Sequence, residues 1–422
     1  MAAAIARAGE IRCAKCGACA VVCPVYRVDG REVLTARGKM HLLNSQLSNR
    51  PTDIFTDLFS RCLLCGACEQ VCPRGLPITE LISQARSTFP TLYGPNSLKK
   101  ALFRKTLSHP SLLEGLVKAG TNLRHLPALP SSSGLRLKLG LVERRERKVE
   151  RVPLSLEQKK EVRQKEQQAS SFSYFTGCFA RHLQPSIIDA TQELLSFCDI
   201  NDAFPAHIPT KQHCCGLAAW SAGDMEQARS LAQKNIQAFA GSSNPIITSC
   251  ASCSAHLLSY PKLFTEDDPW HAKTVAFAKR VREFTSFFAD ALPYSVQDNV
   301  PKKRIFYHAP CHLRFKDKGM STPRALLKKA GVSVLEPEKS PLCCGQGGLF
   351  HIACPELSAQ IFEKSSKQAL ANTPDCITTT CSGCLMQFQE GMAQQGQKVQ
   401  VIHMAVMLAD CLKVRPVRLA VF

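Results

Sequence analysis

The chain has 422 residues, 22 of them cysteine, and its 53 lysines and arginines against 34 aspartates and glutamates leave a formal charge of +19. A hydrophobic content of 45% is that of a globular chain with a full core, so disorder is not the default, and a chain this long does not need disulfides to fold. The opening MAAAIARAGE lacks the features of a secretory signal, and the longest uncharged run, 235–261, is broken by glycine, proline and serines; the expectation is a cytosolic protein with no membrane-spanning helix, whose reduced cysteines are metal ligands.

In chain order, the first eight cysteines form two copies of one run, Cys13-x-x-Cys16-x-x-Cys19-x-x-x-Cys23-Pro24 and Cys62-x-x-Cys65-x-x-Cys68-x-x-x-Cys72-Pro73. This is the spacing of a two-cluster ferredoxin. Thiolates at i, i+3 and i+6 wrap three corners of one cubane, and the fourth cysteine of each run ligates the other cluster. The expected ligand sets are Cys13, Cys16, Cys19 and Cys72 for one [4Fe-4S] cluster, and Cys62, Cys65, Cys68 and Cys23 for the second. Gly17-Ala18 and Gly66-Ala67 are small enough to let backbone amides approach the cluster sulfides, which raises the reduction potential. Zinc, the alternative, usually takes two separated Cys-x-x-Cys knuckles rather than a triple followed by Cys-Pro.

Next comes a basic segment. Residues 97–166 hold 17 lysines and arginines against 7 acidic residues, a local net of +10. Pro/Ser-rich pieces alternate there with charged, helix-prone ones, which reads as a linker over 93–170 whose basic face is either plainly solvated or attaches to an acidic partner subunit or an anionic membrane leaflet. Nucleic acid is not expected as a partner, because aromatic interleaving and helix-turn-helix or zinc-finger spacings are missing.

Ten further cysteines form a second duplicated pattern: Cys178, Cys214-Cys215-Gly216 and Cys250-x-x-Cys253, then Cys311, Cys343-Cys344-Gly345 and Cys381-x-x-Cys384. Matching positions stand about 130 residues apart, enough for each copy to be a domain rather than a solenoid unit. β-rich stretches at 172–175, 245–248, 304–307 and 377–380 each run into a cysteine, and helical patterns cover 185–197, 225–239, 323–330 and 355–371. Each copy is thus expected to be an α/β unit gathering five thiols at the carboxyl ends of its strands, where ligand sites form in open sheets. An adjacent Cys-Cys pair fits the separate iron atoms of a cluster better than one tetrahedral zinc; zinc and a dithiol redox pair stay as alternatives.

Cys198, Cys354, Cys376 and Cys411 fall outside both patterns and read as inert buried thiols. His213, His308 and His312 flank the second set of cysteines, either as hydrogen-bonding partners of sulfur or as ordinary satisfied polar residues. No Cys-x-x-Cys-His, Gly-x-Gly-x-x-Gly, P-loop or Ser-His-Asp constellation stands out, so no catalytic residue is assigned and flavin or nicotinamide chemistry is expected on another polypeptide.

The order of ferredoxin pair, basic linker and two Cys-Cys-Gly domains resembles the iron-sulfur subunits of bacterial glycolate oxidase and of D-lactate dehydrogenases, over essentially the whole chain. The element ARGKM at 36–40 is similar to an arginine-glycine element of that group. The long gap from Cys23 to Cys62 is more like the α-helical ferredoxin domains of succinate dehydrogenase and heterodisulfide reductase. The resemblance implies a multi-domain α+β protein: a helical two-cluster domain (1–92), the linker (93–170) and two α/β Cys-Cys-Gly domains (171–298 and 299–422). It also implies one or two noncubane [4Fe-4S] clusters on Cys178, Cys214, Cys215, Cys250 and Cys253 and on Cys311, Cys343, Cys344, Cys381 and Cys384. The implied role is electron transfer from an FAD-containing glycolate or D-lactate dehydrogenase subunit toward a quinone, in the cytoplasm or peripherally on the inner face of the cell membrane. Two alternatives are reduction of a disulfide at the noncubane clusters, as in heterodisulfide reductase, and a zinc scaffold.

Overall fold

A computed structural model describes residues 13–45, 52–123, 171–196, 206–291, 303–315, 321–337 and 340–413. The amino-terminal part is helical. Thr35 and Thr52 cap the helices Ala36–Leu43 and Asp53–Ser60, their hydroxyls accepting from the amides of Gly38 and Phe55, and Ile78–Ser87 closes the bundle. Its core is Met40, Phe59 and Ile82, walled by Phe55 stacked on Phe59 at 4.5 Å and by Phe89 edge-on to both. Two further helices, Ser97–Ser108 and Pro110–Leu123, form the start of the basic segment; its residues 124–166 lie outside those described.

The two repeats are built on parallel sheets. Strands β1 (Ser173–Tyr174), β2 (Ile246–Thr248) and β3 (Val281–Glu283) lie side by side in that order, and the second sheet runs β5 (Ser333–Leu335), β4 (Arg304–Tyr307), β6 (Cys376–Thr379), β7 (Gln400–His403). Four of the seven strands stand where the β-rich stretches place them. The helices Ser186–Ser196, Met225–Ala238, Ser321–Lys329 and Pro355–Leu370 likewise match the expected helical patterns to within two residues at either end. Strands β3, β5 and β7 are not among the expected stretches: none of them runs into a cysteine, and β3 continues straight from the helix His271–Arg280.

Side chains alternate across these sheets and bury on both faces. Tyr174 and Ile247 join Ile305 and Tyr307 in one apolar cluster, while Phe175 and Ile246 join Phe306 and Ile377 in another. Both clusters therefore take side chains from both repeats, so the repeats share their cores. The Ala251 amide donates across the junction to the Thr380 carbonyl at 2.9 Å, and Gln184 donates to Gln389 at 2.6 Å. The repeat is visible in detail as well: Tyr174 hydrogen-bonds Ser249 as Tyr307 hydrogen-bonds Thr380.

The helical part seats on both repeats. Leu63, Cys65 and Ala67 pack against Phe350, Leu357 and Ile361 of the second, while Ser83 and Tyr93 donate to the carbonyls of Trp220 and Ala222 in the first. Arg86 is the central clasp. Its buried guanidinium donates to the carbonyls of Phe59, Ser60 and Cys62 on one side and Ser221 on the other.

Two predictions follow from this packing. Arg86→Met leaves buried carbonyls without donors and is expected to cost about 3 kcal/mol, read as a fall in denaturant midpoint and faster proteolytic separation of the helical part. His403, at the end of β7, accepts the Ala405 amide through Nδ1, and burial holds its pKa down at about 4. The fold thus contains neutral imidazole, whereas the unfolded chain takes up a proton below about pH 6.5. Stability is therefore fully present above that pH and drains as pH falls toward 4, on the order of 3 kcal/mol in all. In His403→Gln this part of the acid slope should vanish.

Candidate iron-sulfur sites

The two ferredoxin-type runs fold into matching loops. Lys15 and Leu64 hold φ of 54° and 53°, and Gly17 and Gly66 hold 81° and 82°. Left-handed conformation at a lysine and a leucine is uncommon, so its recurrence at equivalent places marks a shape the loop must take. That shape turns amides inward. Lys15 and Leu64 direct their N–H groups to the sulfurs of Cys13 and Cys62, both at 3.5 Å, and Gly17 and Gly66 start the short helices Ala18–Val22 and Ala67–Gln70. Such concave sets of amides suit an anion bound between them.

Cys23 is brought into the second run. Burial, then the thiols of Cys311, Cys62 and Cys23, push Cys65 well up; burial, then Cys65 and Cys62 with Cys23 behind them, push up Cys68. Cys23 thus lies near Cys65 and Cys68 of the second run. Cys13, Cys19 and Cys72 border the same helical core, and Cys16 is exposed.

In each repeat, five thiols converge at the carboxyl ends of the strands. In the first, the sulfurs of Cys178 and Cys214 are 3.8 Å apart, Cys215 lies between Cys214 and Cys253, and Cys250 lies beside Cys253. In the second, Cys344 and Cys384 are 3.2 Å apart, Cys343 flanks Cys344, Cys381 flanks Cys384, and Cys311 faces Cys344 and Cys381. Contacts with neighbouring thiols hold Cys214 and Cys344 well below the usual thiol range, and contact with Cys250 and burial hold Cys381 up at about 12. Five soft donors in one largely buried patch, with thiolate character favoured on Cys214 and Cys250 in the first repeat and on Cys344 in the second, fit an iron-sulfur cluster; they exceed the four that zinc takes.

Histidines distinguish the two repeats. His308 lies with Cys344 and Cys384 so that their donor atoms are within 4.8 Å of one another, whereas the equivalent residue of the first repeat is Phe175. The first repeat instead buries His256 beside Cys214, its pKa held at about 4 by desolvation. Sequence spacing did not single out His256, because its counterpart in the second copy is Gln387. His312 pairs with Ser252 at 2.9 Å, and that hydroxyl also meets the Cys381 sulfur at 3.0 Å. His213 faces outward, its Nδ1 on the Lys211 carbonyl.

Three of the four thiol groups are neighbours in space. Cys65 of the second ferredoxin loop lies near Cys311 and Cys343, and Cys381 meets Cys250 of the first repeat. The thiols of the second repeat thus neighbour both the second ferredoxin loop and the thiols of the first repeat, an adjacency that cysteine spacing does not encode. Of the other cysteines, Cys354 and Cys376 are buried, Cys411 is half-buried, and Cys198 lies outside the described residues.

Comparison with known proteins agrees with this layout. Residues 11–76 match the 4Fe-4S dicluster domain, and residues 172–258 and 305–389 each match the cysteine-rich domain. The chain is therefore an iron-sulfur protein with a dicluster domain followed by two tandem cysteine-rich domains. It is 28% identical to the probable glycolate oxidase iron-sulfur subunit of Bacillus subtilis (strain 168), over 95% of this chain and 94% of that protein. It is 29% identical to lactate utilization protein A of Shouchella clausii, over 56% of this chain and 97% of that protein, and the Exiguobacterium protein of the same name is 29% identical over 57% and 97%.

Crosswise ligation makes a sharp prediction. Cys23→Ser and Cys65→Ser should alter the same electron paramagnetic resonance (EPR) signal, and Cys72→Ser and Cys16→Ser the other. Pairing by position in the sequence, Cys23 with Cys16, would overturn the assignment.

Proposed function

We propose that this chain is the electron-transfer subunit of a glycolate or D-lactate dehydrogenase complex, taking electrons from an FAD-containing subunit and delivering them toward a quinone. The observation that carries this reading is the run of neighbouring thiol groups from the second ferredoxin loop, through the second repeat, to the first repeat. Two [4Fe-4S] clusters on the ferredoxin cysteines and one noncubane cluster on each set of five would supply one-electron relays over that span. The chain's own residues position and insulate the thiols. Backbone N–H groups of Lys15, Leu64 and Gly345 point at the sulfurs of Cys13, Cys62 and Cys343, and the shared core buries seven of the ten thiols of the repeats, with Cys178, Cys311 and Cys343 half-buried at its edge. The names of the similar proteins support a 2-hydroxy acid as the source of electrons, and the missing nucleotide fingerprint supports its oxidation on a separate subunit.

The contact with the membrane fits the start of the basic segment, on the cytoplasmic face. Leu98, Leu102, Leu112 and Leu116 are exposed on the two helices there, with Lys99 and Lys105 beside them, and leucine with lysine is the composition of an interfacial helix. No helix among the described residues is long and apolar enough to cross a membrane.

A second reading draws on the junction where Cys250 meets Cys381 and Ser252 meets His312. A disulfide bound there, given two electrons from the chain's donor and two protons, would leave as two thiols. Native isolation separates the readings. Co-purification of a flavoprotein, with visible cluster absorbance bleached by glycolate or D-lactate, is the expected result; turnover of a disulfide with a reduced dye by the isolated chain, without bleaching by either acid, would favour the second.

A further inference from the structure

The helix Ala36–Leu43 sends one cation toward each ferredoxin loop. Arg37 donates to the Lys15 carbonyl at 2.9 Å, inside the Cys13 loop, and is neutralised at the surface by Glu32 at 2.8 Å. Lys39 is different: only 1% of it is exposed, and it forms no ion pair with a carboxylate among the described residues. Its ammonium donates to the Leu34 carbonyl, and Lys39 lines one cavity together with Cys23, Cys62, Cys65 and Cys68. Arg86, a nearby cation, is itself held by backbone carbonyls.

The local sequence builds this arrangement. A Cβ on Gly38 would come within 2.6 Å of the Val33 Cα and 2.7 Å of the Glu32 carbonyl, so glycine is what lets the turn at 32–34 cross the helix closely. That crossing sets the Leu34 carbonyl over the neighbouring Lys39. Burial pushes the Lys39 pKa down, and the thiols of Cys62 and Cys23 pull it back up. An ammonium held in the interior without a carboxylate is costly unless some other anion compensates it. Four thiolates around an iron-sulfur core are such an anion, and its negative charge grows by one on reduction.

We propose that Lys39 is the potential-setting residue of the second ferredoxin site, its buried ammonium stabilising the reduced state of a cluster on Cys62, Cys65, Cys68 and Cys23. The inference rests on that ligand set and on the electron-transfer reading. One electron enters from the donor; Lys39 keeps its proton, and no bond to it forms or breaks. A fixed cation in a low-dielectric interior acts on the electron through space, so its removal makes that one site harder to reduce.

The test uses the full chain, loaded anaerobically, with iron and labile sulfide counted before an EPR-monitored redox titration. Cys23→Ser identifies which of the two waves belongs to the second site. In Lys39→Met, and in Lys39→Gln, iron content should match wild type while the reduction equilibrium of that wave falls about tenfold, about 59 mV for one electron; Lys39→Arg should keep it in place, and the other wave should not move. Loss of the second site in Met and Gln but not Arg would also support the charge. An unmoved wave in iron-replete Lys39→Met overturns the proposal, as do equal shifts of both waves or loss of the site in all three variants. Wild-type protein lacking any cubane signal would instead overturn the ligand reading, and the proposal with it.

Discussion

The organising constraint is the cost of gathering thiolates where water is scarce. Each repeat draws its five cysteines from three separate loops, burying four of them in the first repeat and three in the second within an interior that also buries Phe175, Phe306 and Phe388. A low-dielectric interior penalises such negative charge and amplifies whatever compensates it. The compensation is of three kinds: inward amides in the two ferredoxin loops, thiols donating to thiolates at Cys214 and Cys344, and cations placed where no carboxylate competes for them. Arg314 belongs to the last group, beside Cys311, Cys343 and Cys65 where the ferredoxin part meets the second repeat.

Position among these sites follows from packing rather than chain order. The helical part sits in the angle between the repeats, and Arg86 ties its carbonyls to the first repeat while Leu63 and Cys65 pack into the second. The spacing between thiol groups is therefore fixed by the same contacts that stabilise the fold. A protein assembled this way needs no hinge to complete its redox path.

Much of the site was legible in the sequence because ligands held by a tight loop must recur at short, fixed intervals. Both ferredoxin runs, both Cys-Cys-Gly patterns and the strands that feed them are local in that sense, and so is the left-handed geometry that makes glycine useful at 17 and 66. What was hidden depends on distant partners. Nothing in the spacing tells that Cys65 meets Cys311, that Cys250 meets Cys381, or that the repeats interleave their cores. His256 escaped because it has no counterpart in the second copy, and β3, β5 and β7 because, unlike the equally short β1, β2, β4 and β6, they do not run into a cysteine that marks their ends.

The lodging of the ferredoxin loops against the second repeat bears on how the chain is made. The cysteines of 13–72 leave the ribosome first, yet Leu63, Cys65 and Ala67 gain their cover only when Phe350, Leu357 and Ile361 have been synthesised, nearly three hundred residues later. At bacterial elongation rates that interval is on the order of tens of seconds. During it, the earliest thiols stand open to oxidants and to stray metal ions, so the nascent chain gains from early cluster delivery or from a chaperone that shields the loop until its lid arrives.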